Sequence, residues 1–388
     1  MEFINRITEA GDLSQITDDL LKDVRGDFDL GVLYICPWPP YDPVQVFQAL
    51  KQKVNVRHLI CCSCAGVIGA GREIEGRPSA SLMLMRLPQV KVSPFALTQP
   101  VLESLKEKED WWRLLEVYPN EKPAFLAFAD PFAFDGNTFL SGLNQAYPGS
   151  PVIGGLASAA SSPGENILAM DGEVMREGLI GVAMTGNLAV ETVVSQGCRP
   201  IGEIYIVTKA QRNIIFELAG RPFLKCLEEV LGRGTDYDRH LAHEAIFIGI
   251  AMNEYKEKFQ RGDFLIRGVM GLDPKSGAGA VGDFIRVGQT VQFHLRDART
   301  ADEDLHELLK QQTALKRTGL HGAFVFSCNG RGMNLFKEHD HDIRIIQEHL
   351  GPVAAAGFFC AGEIGPVGGI NFLHGFTNSM ALFYPQQV

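Results

Sequence analysis

The sequence has no apolar run near the roughly 18 residues that a membrane-crossing helix requires. Its longest candidates, 245–252 and 353–362, are strand-sized, so no membrane insertion is expected. The opening residues, MEFINRITEAGDLSQ, carry early acids and no apolar centre, so they do not read as an export signal. No basic block stands out. The 36 Lys and Arg are outnumbered by 46 Asp and Glu, for a net charge of −10. That balance argues against nucleic acid or an anionic membrane as the main partner. Eight cysteines in 388 residues, without an export signal, read as free buried thiols in a reducing, cytoplasmic compartment. The G-x-S-x-G elbow, the Walker loop and the H-E-x-x-H helix are all missing. No Pro/Ser-rich linker separates domains.

What is present is an ordinary globular balance, 46% apolar and 21% charged, long enough for two or three domains. Leu13, Ile16, Leu20 and Val24 fall at helical spacing, which predicts an N-terminal helix within 1–27. One unit then recurs: strand, helix, strand, glycine loop, further strands. Its copies cover about 30–87, 124–185 and 322–384, and a partial copy without a clear helix covers 244–296. In the first copy, residues 90–97 are expected to pair with the strand at 81–85. The fold class expected is α/β with mixed sheets, built from repeated strand-helix-strand-hairpin units with helices on the outer faces. The best boundary lies near 200, giving domains of 28–200 and 201–388.

Several motifs invite chemistry and have plainer readings. Gly277-Ala278-Gly279-Ala280-Val281-Gly282 matches G-x-G-x-x-G. A dinucleotide site needs a helix next, whereas the following residues alternate like a strand, so a glycine turn is expected and no cofactor. Cys61, Cys62 and Cys64 read as small buried hydrophobes. His339-Asp340-His341-Asp342 and His240, His243 and Glu244 lack a clear third ligand, so no metal is expected. Asp340 or Asp342 suits the N-cap of the helix that follows. Ser327-Cys328 with His374 as base has no orienting third group.

Cys360-Ala361-Gly362-Glu363 is the best site candidate. A glycine loop after a buried strand lets a ligand approach the backbone. Glu363 suits a ligand ammonium, and Arg331, flanked by Gly330 and Gly332, suits a carboxylate fork. The plainer alternative is that Arg331 and Glu363 pair with each other. The candidate ligand-binding set is Arg331, Gly332, Cys360, Gly362, Glu363, Asn371 and His374, with Asn378 as a secondary member.

These residues carry a resemblance. The stretches Cys64-Ala65-Gly66, Gly154-Gly155, Ala219-Gly220-Arg221-Pro222, Val281-Gly282-Asp283-Phe284, Phe326-Ser327-Cys328-Asn329-Gly330-Arg331-Gly332, Gly357-Phe358-Phe359-Cys360-Ala361-Gly362-Glu363-Ile364-Gly365-Pro366 and Asn371-Phe372-Leu373-His374 resemble the FIST family, with a FIST N half and a FIST C half. The resemblance spans about 28–385. It implies an intracellular sensory domain binding small ligands such as amino acids, often fused to signalling output domains or an F-box. It carries no catalytic mechanism. The stretch before residue 28 is too short for such a fusion, so a separate signalling protein is the expected partner. The alternatives are an enzyme acting on a small polar substrate through Cys328 or Cys360, and a protein-interaction scaffold.

Overall fold

Each copy of the repeat sets an apolar strand, an amphipathic helix and a second apolar strand in succession, and the three copies fold alike. The computed structural model describes residues 1–37, 42–260 and 262–386. Strand β1 (Glu2–Thr8) and helix α1 (Leu13–Leu20) come first. Asp12 caps α1 by accepting from the Gln15 N–H. The strand is an addition to the helix expected within 1–27. The first copy is β2 (Phe28–Cys36), α2 (Pro43–Lys53), β3 (Val56–Ser63), β4 (Gly66–Gly69), β5 (Arg72–Glu75) and β6 (Ser79–Arg86), followed by β7 (Val90–Leu97), α3 (Gln99–Ser104) and α4 (Lys108–Leu115). The second is β8 (Ala124–Ala129), α5 (Gly136–Ala146), β9 (Val152–Leu156), β10 (Leu168–Met170), β11 (Glu173–Met175) and β12 (Leu179–Gly186), then β13 (Ala189–Gln196). An intervening segment holds β14 (Cys198–Gln211), β15 (Ile214–Leu218), β16 (Arg221–Pro222), α6 (Phe223–Arg233), α7 (Asp236–Glu244), β17 (Ile246–Ala251), β18 (Phe264–Asp273), β19 (Ala278–Val281), β20 (Thr290–Arg296) and α8 (Ala298–Ala314). The third copy is β21 (Gly322–Cys328), α9 (Gly332–Phe336), α10 (His341–Leu350), β22 (Ala355–Cys360), β23 (Glu363–Val367), β24 (Ile370–His374) and β25 (Thr377–Tyr384).

In every copy the strands flanking the helix are parallel neighbours: β2 with β3, β8 with β9, β21 with β22. The last strand of each copy returns antiparallel to the first, as β6, β12 and β25. The hairpin between them leaves home. β4 pairs with β22, β10 with β3, and β23 with β9. The flanking strands are exchanged too, so β7 lies on β12 rather than on β6, which corrects the pairing expected for residues 90–97. The outcome is three six-stranded mixed sheets of identical order: β1-β6-β2-β3-β10-β11, β7-β12-β8-β9-β23-β24 and β13-β25-β21-β22-β4-β5. Each sheet is completed by strands from its neighbours. The fold is therefore the mixed α/β class expected.

The three inner faces share one core. Tyr34, Phe128 and Phe326, from corresponding positions of β2, β8 and β21, meet in a triangle with ring centroids 5.6, 6.0 and 6.3 Å apart. The tilted and edge-on contacts are the arrangements that ring quadrupoles favour. On the outer faces α1 and α2 cover the first sheet and α3 to α5 the second.

The chain divides into two compact units. One comprises 1–194, 306–373 and 377–388, which contains all three copies; the other comprises 195–305 and 374–376. In the second unit β14-β20-β17-β18-β19-β15 close on themselves through β14–β15. The barrel packs against Phe223, Cys226, Leu227 and Val230 of α6. Residues 244–296 thus form an antiparallel meander, β17 pairing antiparallel with β18. They are not a partial copy of the parallel unit. The G-x-G-x-x-G stretch is β19 and its following turn, with no helix after it.

Tyr34 breaks the triangle's chemistry: its hydroxyl is buried with no hydrogen-bond partner, where the other two positions carry Phe. A buried orphan hydroxyl costs about 1–3 kcal/mol. Tyr34→Phe is expected to raise the urea unfolding midpoint, by about 1 kcal/mol in stability; an unchanged or lower midpoint would show that the hydroxyl is satisfied in solution.

Candidate functional site

Two hexapeptides align the first and third copies: Cys64-Ala65-Gly66-Val67-Ile68-Gly69 and Cys360-Ala361-Gly362-Glu363-Ile364-Gly365. They differ only at Val67 and Glu363. Register extends the comparison to the second copy. Val67 lies opposite Phe358, Leu168 opposite Cys62, and Glu363 opposite Gly155. Val67 and Leu168 contribute to the shared core. Glu363 is equally buried, at 0% exposure, so the third copy sets a carboxyl where its counterparts are aliphatic. The opposite face of the same strand end changes likewise. The cross-strand pairs Ile35–Ala80 and Ala129–Leu179 become Ser327–Asn378.

Asn378 and Ser327 both serve Asp342, in the first turn of α10. The Asn378 amide donates to its carboxylate at 2.9 Å and the Ser327 hydroxyl at 3.1 Å. Arg331 closes on the same carboxylate in a fork, at 2.7 and 2.9 Å, with both side chains 1% exposed. The Arg331 guanidinium lies over Phe336, which stacks on His341 at 3.4 Å between centroids. His341 Nδ1 in turn hydrogen-bonds Asp342 at 3.0 Å. The carboxylate on Arg331 is therefore Asp342, so the fork that suited a ligand is filled from within the chain, while the Arg331 charge still reaches Glu363.

The capping expectation is corrected as well. Asp42 and Asp135 cap α2 and α5 through their side chains. Asp340, at the start of α10, sits in the left-handed region and caps nothing; its carboxylate accepts from the Glu73 N–H. Glu73 itself, on the exchanged β5, accepts from Ile343 N–H of α10 at 2.9 Å. Its neighbour Glu75 accepts from Met333 N–H at 3.0 Å. Gly332, at φ +52, has no room for a Cβ against the Glu75 carboxylate.

Glu363 is held on one side only. Its Oε2 accepts from the Thr377 N–H at 3.1 Å and hydroxyl at 2.8 Å. Oε1 is buried and receives no N–H or O–H donor, and the Cys328 thiol lies on the same carboxyl. Burial pushes the Glu363 carboxyl up to about 8, against the opposing pull of Thr377, Cys328 and Arg331. Burial also raises Glu73, helped by the charge of Asp342. For Asp342, burial works upward, but the Arg331 charge and the His341 bond overcome it and hold the carboxyl well below its usual range. Cys360 is fully buried and its thiol is raised, by burial first and Glu363 second, which makes it a poor nucleophile.

Of the candidate set, the structure brings together Arg331, Gly332, Cys360, Gly362 and Glu363. The Gly362 carbonyl accepts from Leu156 N–H. Asn371 is elsewhere: it binds Asn144, Ser150 and Val152, fastening β24 to α5 and β9. His374 belongs with Gly375 and Phe376 to the second compact unit. Sequence reading missed Asp342 as the partner of Arg331, and missed Glu73 and Thr377. The Val67/Glu363 contrast was a usable signal. Nothing in the sequence announces Glu73, because strand exchange delivers it from the first copy.

At the positions of Glu363, Ser327 and Asn378 the third copy thus carries polar side chains where the other two copies are apolar. The FIST N domain model matches residues 29–221 and the FIST C domain model residues 224–366, so the chain belongs to the FIST family, whose domains are associated with sensory signal transduction. An uncharacterised protein of Mycobacterium tuberculosis is 40% identical over 344 residues, covering 88% of this chain and 87% of its own length. One of Mycobacterium bovis is 38% identical over 341 residues, covering 87% and 86%. Among the described residues no helix is long and apolar enough to cross a membrane.

A carboxyl raised in the fold favours the folded state most when protonated. The Glu363 contribution is therefore present below its ordinary value of 4.5 and lost as pH climbs to about 8. Asp342, depressed in the fold, contributes above its ordinary value of 3.8 and loses that contribution as pH falls. Urea titrations across pH are expected to show stability declining from about 4.5 toward 8, with a shallower decline in Glu363→Gln, which keeps the acceptor for Thr377. Asp342→Asn should cost about 3–5 kcal/mol at pH 7 by leaving Arg331 buried without its counter-charge. An unchanged pH slope in Glu363→Gln would contradict the raised carboxyl.

Proposed function

We propose that this protein is a cytoplasmic sensory protein that binds a small polar ligand at the Glu363 end of the third copy and signals to a separate protein. The observation carrying this reading is the buried carboxyl at Glu363, with an orphaned oxygen, where the other copies use Val67 and Leu168. A stable core gains nothing from such an exchange. Strained or unsatisfied polar groups persist where function retains them. The end is close to solvent, since Ala361 is exposed and Asn329 and Gly330 are half-buried. An amino acid, the ligand expected from the resemblance, would meet Glu363 with its ammonium. Its carboxylate would have to displace Asp342 from Arg331.

The enzyme alternative loses support because burial raises the Cys360 thiol. The interaction alternative draws on Ile204, Ile206, Ile214, Met270, Leu272, Phe284 and Val287, all exposed in the second unit. A mass by light scattering that stays monomeric at high concentration would remove self-association from it.

The test of the ligand reading is a thermal-unfolding screen against amino acids, carboxylates and amines. A ligand at 100 times its dissociation constant adds about 2.7 kcal/mol. At least one compound should shift the wild-type transition and fail to shift Glu363→Leu. If no compound shifts it, or if the shift survives in Glu363→Leu, the site is not at Glu363.

A further inference from the structure

We propose that the Glu363 end receives the ammonium group of a small amine, with Glu363 as its counter-charge and no ligand carboxylate required, an assignment that rests on the ligand-binding reading above.

Three observations carry it. The first is the kind of atom left unsatisfied. Glu363 Oε1 and Asn329 Oδ1 are buried without a hydrogen-bond partner, and both are oxygens that accept. Asn329 follows β21 directly, and Glu363 lies beside Cys328, the last residue of that strand. What these oxygens lack is an N–H donor, which an ammonium supplies three at a time. The second is that the carboxylate role is filled. Asp342 takes the Arg331 fork with two bonds, and Ser327, Asn378 and His341 hold it in place. A carboxylate-bearing ligand would break a buried, bidentate pair, whereas an amine leaves it intact. The third is that the Glu363 carboxyl receives N–H and O–H donors on Oε2 alone, with the Cys328 thiol as its one further contact. An arriving ammonium fills the vacancy while the carboxyl proton leaves to water.

The charged and titratable groups facing Glu363 are Cys328 at the end of β21, Arg331 before α9 and Cys360 at the end of β22. Gly155 lies across from it on β9 and Thr377 on β25. Arg331 keeps its charge throughout, and the Cys360 thiol is raised further still. Glu363 is therefore the group whose proton the ligand displaces. Binding of an amine should release one proton at pH 7 and tighten as pH rises, by up to about tenfold per unit between 6 and 8. A ligand that instead accepts the Glu363 proton should bind more weakly over the same range.

The experiment is thermal unfolding and calorimetric titration of the full chain with ethylamine, putrescine, cadaverine and agmatine, beside ethanol, acetate and glycine as matched probes, at pH 6, 7 and 8. The expected result is a shift with one or more amines, growing with pH and accompanied by proton release. Glu363→Gln, which retains the Thr377 bonds, should weaken that binding at least about tenfold by removing the counter-charge. A shift caused only by acetate or glycine and lost in Glu363→Leu overturns the amine assignment and leaves the ligand site standing. An amine shift that weakens with rising pH, or persists in Glu363→Gln, also overturns it. No shift with these probes or with the wider screen overturns both.

Discussion

The architecture depends on one shared apolar core, which no copy of the repeat can make alone. A strand-helix-strand unit of this size has one face for its helix and one that must find another surface. Here three such faces converge, and Tyr34, Phe128 and Phe326 interlock where they meet. The strand exchange follows from the same need. By sending β4, β10 and β23 into neighbouring sheets, each copy extends a sheet beyond its own strands and ties two copies together with backbone hydrogen bonds. Removing any one copy would leave at least one other sheet incomplete. The N-terminal β1 completes the first sheet as β7 and β13 complete the other two.

Such an arrangement offers three corresponding strand ends, and only the third sets a buried carboxyl at the Glu363 position; the second holds its own buried polar pair, Asp130 and Asn166. A buried ion pair is weak evidence of stabilisation, since apolar residues of similar volume commonly do as well, and the first two copies are apolar at the positions of Ser327 and Asn378, which hold Asp342. Arg331 and Asp342 have a second consequence. They bind the segment carrying α9 to α10, while Glu73 and Glu75 bind both to the first copy's hairpin. The polar end is thus braced by residues from two copies.

Much of the local structure was legible. The three copies, their parallel strand-helix-strand cores and the Asp42 cap all follow from periodicity and turn chemistry, which act within a few residues; the alternation expected from Asp283 becomes strand only at Thr290. Arg331 and Glu363 stand out in the sequence because charged residues beside glycines at strand ends are conspicuous, and both are buried. Their relationship was not legible. The partner of Arg331 turned out to be Asp342, whose place at the start of a helix made capping the natural reading. Asn371 looked like a ligand residue and is fully used by Asn144, Ser150 and Val152.

The sequence by itself determined which segments are strands and helices, that one unit recurs, and that the third copy departs from the others at Glu363. Tertiary structure alone decided which sheet each hairpin joins, that residues 244–296 close a barrel instead of repeating the unit, and which carboxylate meets which donor. The physical reason is range. Propensity, capping and alternation are settled between neighbours in the chain, whereas strand exchange and buried charge pairing are settled by which surfaces can be dried together. Glu73 and Ile343, 270 residues apart, share a hydrogen bond for that reason.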